Sequence, residues 1–127
     1  MAKQKVKIDL TPKGGKLKAV QPDVQLTQDG CTITLVTKGS DGNPFPVDAA
    51  KVTNDLTSSD TTKFTVAAGA DSLHFTGQMA AGNADPVTIT DVETFLDGSA
   101  GPFTASCRLL PPVPPPVTPV DVEIVVT

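Results

Sequence analysis

The stretch VTITDVETFLDGSAGPFTASCRLL, residues 87–110, reads as two strands of period-two character joined by LDGSAGP. Within that connection Asp97-Gly98 is a hairpin signal, because tight hairpin turns need positive φ, which glycine adopts without steric cost. Two such runs back to back make an antiparallel pair the simplest reading of this region.

Working outward, the same period recurs, while the 3.6-residue period of a helix is hard to find. CTITLVT, residues 31–37, sets Cys31, Ile33 and Leu35 on one face and Thr32, Thr34 and Val36 on the other, as a central strand would. Near the N-terminus Val6, Ile8 and Leu10 alternate with Lys5, Lys7 and Asp9, the pattern of a half-buried strand. Shorter strands are expected over 17–20, 24–27, 49–54, 63–67 and 73–77, and SDGNPFP, residues 40–46, is a loop. At the C-terminus Val120, Val122, Ile124 and Val126 alternate with Asp121, Glu123, Val125 and Thr127. About eight or nine short strands separated by turns predict an all-β, antiparallel sandwich. Its expected interior includes Ile33, Leu35, Phe64, Phe75, Ile89 and Phe103.

A chain of 127 residues is long enough for one two-layer core. Five Phe are the only aromatics, so valine, threonine and alanine must fill much of the interior. Their abundance favours pleats over helices, because β-branched side chains lose rotamer freedom on a helix. The expected organisation is a sandwich over 1–110, a proline-rich linker over 111–119, and a last strand over 120–127 that completes its own or a neighbouring sheet.

Charge is unevenly spread. Residues 1–18 carry six Lys against the single acid Asp9, whereas the remainder carries four basic and thirteen acidic groups. Lysines at the alternating positions Lys3, Lys5 and Lys7 suit an exposed edge strand, where they discourage indiscriminate pairing. A nucleic-acid partner is not expected, since such surfaces combine a broad basic field with stacking aromatics and this chain has no Tyr or Trp and a pI near 4.7. No apolar run of about seven or more residues follows the first lysines, and no stretch approaches the roughly eighteen needed to cross a bilayer, so neither a signal peptide nor membrane insertion is expected.

LTSSDTTKFTVAAGADSLHFTGQMAAGNADPVTIT, residues 56–90, resembles the bacterial immunoglobulin-like domains of the group 2 type. The likeness lies in the Ser-Ser-Asp turn at 58–60, a short strand ending at Val66, Thr76-Gly77, an Ala-Gly turn at 81–82, and the Val-Thr-Ile-Thr strand. It departs from the family pattern at Leu56, where Trp is usual, and in the length of chain between Val66 and Phe75. The resemblance implies an immunoglobulin-like sandwich serving as a spacer, adhesion or assembly module, without catalytic residues. The separation of Cys31 and Cys107 also resembles that of the inter-sheet cystine of immunoglobulin domains. The alternative reading is a pair of buried thiols, as a reducing compartment would keep them.

Chemistry-bearing constellations are sparse. His74, the only histidine, falls on the outward phase of its strand, and no G-x-S-x-G elbow accompanies it. Asp41, Asp48, Asp85, Asp91 and Asp97 are read as lying in or beside loops, where turn formation accounts for Asp41-Gly42 and Asp97-Gly98 without an ion. Two Cys and one His without CxxC spacing do not compose a zinc set. No catalytic residue, metal or cofactor is therefore expected. Arg108 to Pro114 resembles the proline-rich ligands of SH3 domains, but Arg108 and Leu110 already belong to a strand.

Six of the twelve prolines fall between Pro111 and Pro119. Nine residues in extended polyproline geometry reach about 28 Å, roughly the width of a sandwich. The last strand can thus be carried across its own molecule or onto a neighbour. The expected function is structural: an oligomeric assembly module, such as a virion decoration or accessory protein contacting neighbouring subunits, or alternatively an adhesion or spacer module at a cell surface. The residues expected to make partner contacts are Lys3, Lys5, Lys7, Val120, Val122, Ile124 and Val126.

Overall fold

A computed structural model describes residues 4–12, 22–39, 41–99, 102–113 and 122–126. Its strands are β1 (Gln4–Pro12), β2 (Val24–Gln25), β3 (Gly30–Thr37), β4 (Val52–Ser58), β5 (Phe64–Ala68), β6 (His74–Met79), β7 (Val87–Phe95) and β8 (Phe103–Leu110). The fold is all-β, as the periodicity requires. On β3 and β8 every second residue is buried and the intervening ones are not, so the pleat itself sorts Ile33, Leu35, Ala105, Cys107 and Leu109 inward.

Two sheets face each other. One runs in the order β1-β3-β6-β5, and the other runs β4-β7-β8, with β2 added beyond β8. The triplets β3-β6-β5 and β4-β7-β8 reproduce the B-E-D and C-F-G arrangement of an immunoglobulin sandwich. The β7–β8 hairpin spans the residues expected of it and pairs in the register Ile89↔Cys107 and Asp91↔Ala105.

The sheets are mixed rather than wholly antiparallel. β1 lies parallel to β3 over Gln4–Leu10, and β2 lies parallel to β8. At Thr11 and Pro12 β1 leaves its first partner and pairs with Thr104 and Phe103 of β8 in the opposite sheet. This single strand therefore belongs to both layers. Its entry is fixed by Gln4, whose amide donates to the Gln25 carbonyl at 3.0 Å and accepts from the Thr27 amide at 2.7 Å.

The core contains Val6, Ile8, Leu10, Leu26, Ile33, Leu35, Phe64, Met79 and Leu109 among others. All six side chains expected inside face the core, with Phe75 half-buried and paired opposite Ile33. Gly77 is required by packing: a Cβ there would collide with the Phe64 ring and approach Cys31 Sγ to 3.2 Å. Leu56, at the position where the family resemblance would place Trp, is buried.

Several expectations need correction. The strand expected over 49–54 begins instead with a 3-10 turn, Ala49–Lys51, because the Asp48 carboxylate accepts from the Ala50 amide at 3.0 Å and caps it. The strand expected over 24–27 is shortened to Val24–Gln25, and that over 17–20 lies outside the described residues. The last strand, expected to complete its own or a neighbouring sheet, is described only over residues 122–126, which join no ladder among the described residues.

Candidate interaction arm and an interior carboxyl pair

The residues expected to contact partners fall at two places. Lys5 and Lys7 stand exposed on the outer face of β1, while Val6, Ile8 and Leu10 point into the core. Lys3 and Val120 lie outside the described residues. Val122, Ile124 and Val126 are 86 to 89% exposed, and Val125 is 74% exposed. Four branched apolar side chains in five residues are thus left in water, a density that a monomer seldom tolerates.

Cys31 and Cys107 are both buried thiols, with no disulfide between them. Cys107 sits on β8, which corresponds to strand G, whereas an immunoglobulin cystine joins the strands corresponding to β3 and β7. Burial, with smaller contributions from Asp23 and Cys31, pushes the Cys107 thiol up to about 11. Such a thiol is almost wholly protonated at neutral pH and is a poor nucleophile.

His74 is exposed, as its phase requires, and its Nδ1 lies 2.7 Å from Asp71 Oδ1. The hydrogen bond to His74 is the main influence holding the Asp71 carboxyl below its usual range. Asp71 Oδ1 also accepts from the Leu73 amide at 2.8 Å, so the carboxylate is held in the turn before β6 by a backbone bond that does not need the imidazole. His74→Gln should change unfolding free energy by no more than about 0.5 kcal/mol in a denaturant titration. A larger loss would assign the imidazole a role in the turn.

Arg108 donates from Nε at 3.1 Å and from Nη2 at 2.6 Å to Asp23 Oδ2, linking β8 to the residue before β2. The basic residue of the SH3-like motif is therefore engaged within the fold. Residues 27–29, 82–84 and 111–113 line an open groove of about 610 Å³.

Asp91 is not beside a loop but in the middle of β7, and it and Glu93 are fully buried. Period two starting from Val87 and Ile89 carries straight on to both, which places them on the inward face of β7. Thr37 Oγ1 donates to Glu93 Oε1 at 2.6 Å. Both Asp91 oxygens, Glu93 Oε2 and the Asn54 side-chain oxygen find no hydrogen-bond donor among the described residues. Asn54 faces Glu93 across the β4–β7 ladder and is held by donating to the Ser72 carbonyl at 2.7 Å. The tilted rings of Phe95 and Phe103, 5.6 Å apart, flank this end of the core. Desolvation, then Glu93, then Asp55 push the Asp91 carboxyl up to about 7. The chemical consequence is a carboxyl group that holds its proton into the neutral range.

Among the described residues no group of three or more His, Cys, Asp or Glu is placed to hold a metal, and no helix is long and apolar enough to cross a membrane. No family model matches the chain, and no curated protein does. Among solved structures, a cysteine protease inhibitor from Entamoeba histolytica is similar at 12% identity with a TM-score of 0.36, covering 84% of this chain and 96% of that one.

Proposed function

We propose that this protein is a non-enzymatic structural module that associates with neighbouring subunits through its C-terminal arm. The observation that carries the reading is the exposure of Val122, Ile124, Val125 and Val126, between 74 and 89%. Burying side chains of this kind is worth about 1.5 to 3 kcal/mol each, so an interface that covers them gains substantially. The proline-rich stretch before them supplies reach without requiring ladder hydrogen bonds. The resemblance of residues 56–90 to bacterial immunoglobulin-like domains supports an assembly role, with a virion decoration or accessory protein as its setting.

Truncation after Thr118 tests the reading. The shortened chain should melt within a few degrees of the full one, since the exposed arm side chains add little to the folded monomer. It should also lose the self-association or particle binding that the full chain shows in sedimentation. A truncated chain that unfolds, or one that associates as before, would overturn the proposal.

A further inference from the structure

The arm needs a receiving edge, and β1 offers one. Over Gln4–Leu10 this strand has β3 as its ladder partner, and no second ladder flanks it there among the described residues. Its two faces differ in kind: Val6, Ile8 and Leu10 are buried, and Lys5 and Lys7 are exposed.

The arm has the same two-faced pattern with the charge inverted. Val122, Ile124 and Val126 alternate with Asp121, Glu123 and Val125. Setting the arm parallel to β1 with Val122 beside Val6 puts Ile124 beside Ile8 and Val126 beside Leu10. The same register puts Asp121 beside Lys5 and Glu123 beside Lys7. All three apolar positions and both charge pairs are satisfied at once. Antiparallel alignment does less well: the register that pairs all three apolar residues, Val122 with Leu10, Ile124 with Ile8 and Val126 with Val6, opposes Glu123 to Asp9 and gives neither lysine an acid.

We infer that the arm of one copy adds to the β1 edge of a second copy as a parallel strand in the register Val6/Val122. This inference rests on the proposed assembly function and names its receptor. The mode is strand addition, in which backbone hydrogen bonds supply affinity and alternate side chains supply register. The lysines thus exclude unspecific strands and select an acidic one, since opposite charges across a ladder stabilise and like charges repel. Reciprocal exchange closes a two-fold dimer, whereas one-way donation builds a ring or a filament.

Charge reversal provides the test, read by sedimentation of the full chain at neutral pH. The double variant Lys5→Glu, Lys7→Glu should weaken self-association by about tenfold or more, because two attractive pairs become repulsive. Adding Asp121→Lys and Glu123→Lys to that variant should restore it, and circular dichroism should show the same β content throughout. If truncation after Thr118 abolishes association but the lysine reversal leaves it intact, the arm binds elsewhere and this inference falls while the assembly function stands. If the reversal abolishes association and the charge swap does not restore it, the register falls. If the unaltered full chain does not associate at all, both readings fall together.

Discussion

Between about pH 4 and pH 7 the protein should lose on the order of 4 kcal/mol of stability as the pH rises. The cause is Asp91, whose carboxyl is pushed up to about 7 in the folded chain against an ordinary value of 3.8. Across that window the folded state holds a proton that the unfolded state has already released, so the contribution is complete below about 4 and gone above about 7. The carboxyls of Asp41, Asp60, Asp71 and Asp97 move the other way, held low mainly by hydrogen bonds, and they weaken the fold only when the pH falls below the usual carboxylate range. The window therefore belongs to Asp91. Asp91→Asn should flatten the profile, matching the parent near pH 4.5 and exceeding it at pH 8, in urea titrations at each pH. An unaltered chain whose unfolding free energy is level from pH 5 to 8 would show that Asp91 is ionised and solvated in the fold.

The second large effect is expected at Phe64. Its ring is fully buried and lies against Gly77, in the one place where the opposing strand has given up its side chain to make room. Phe64→Ala removes the ring without providing anything to fill the hole, and should cost about 3 to 5 kcal/mol. The denaturant midpoint should fall while the slope stays constant, since the surface exposed on unfolding hardly changes. A loss below about 1 kcal/mol would mean that β5 and β6 close over the cavity, which their short ladder argues against.

Much of this architecture was legible because alternation is a local property. The hairpin β7–β8 and the strand β3 could be read from neighbouring residues alone, and the inward positions of Ile33, Ile89 and Phe103 follow from that phase. What could not be read is who pairs with whom at long range. The parallel ladder between β1 and β3 joins residues separated by the whole of β2 and its flanks, and no local pattern records it. The 3-10 turn at Ala49–Lys51 was hidden because a capping aspartate looks like any other loop aspartate until its amide partner is known. Asp91 and Glu93 are harder to place from sequence, because their phase on β7 points inward while carboxylates are rarely buried. The arm's alternation of apolar and acidic residues is a local property and is readable in the sequence, whereas the one-sided ladder of β1 over Gln4–Leu10 among the described residues depends on long-range pairing.

Because β1 is shared between layers, it also determines how the molecule would carry load. A pull on the N-terminus along the strand axis acts across the ladder from Gln4↔Cys31 to Leu10↔Thr37 all at once, in shear, and cannot peel it one pair at a time. The same strand is tied at its far end to Phe103 and Thr104 of the other sheet, so tension entering one layer is handed to both. A subunit that gripped its neighbour beside this strand would thus be anchored at a strand loaded in shear and tied to both layers.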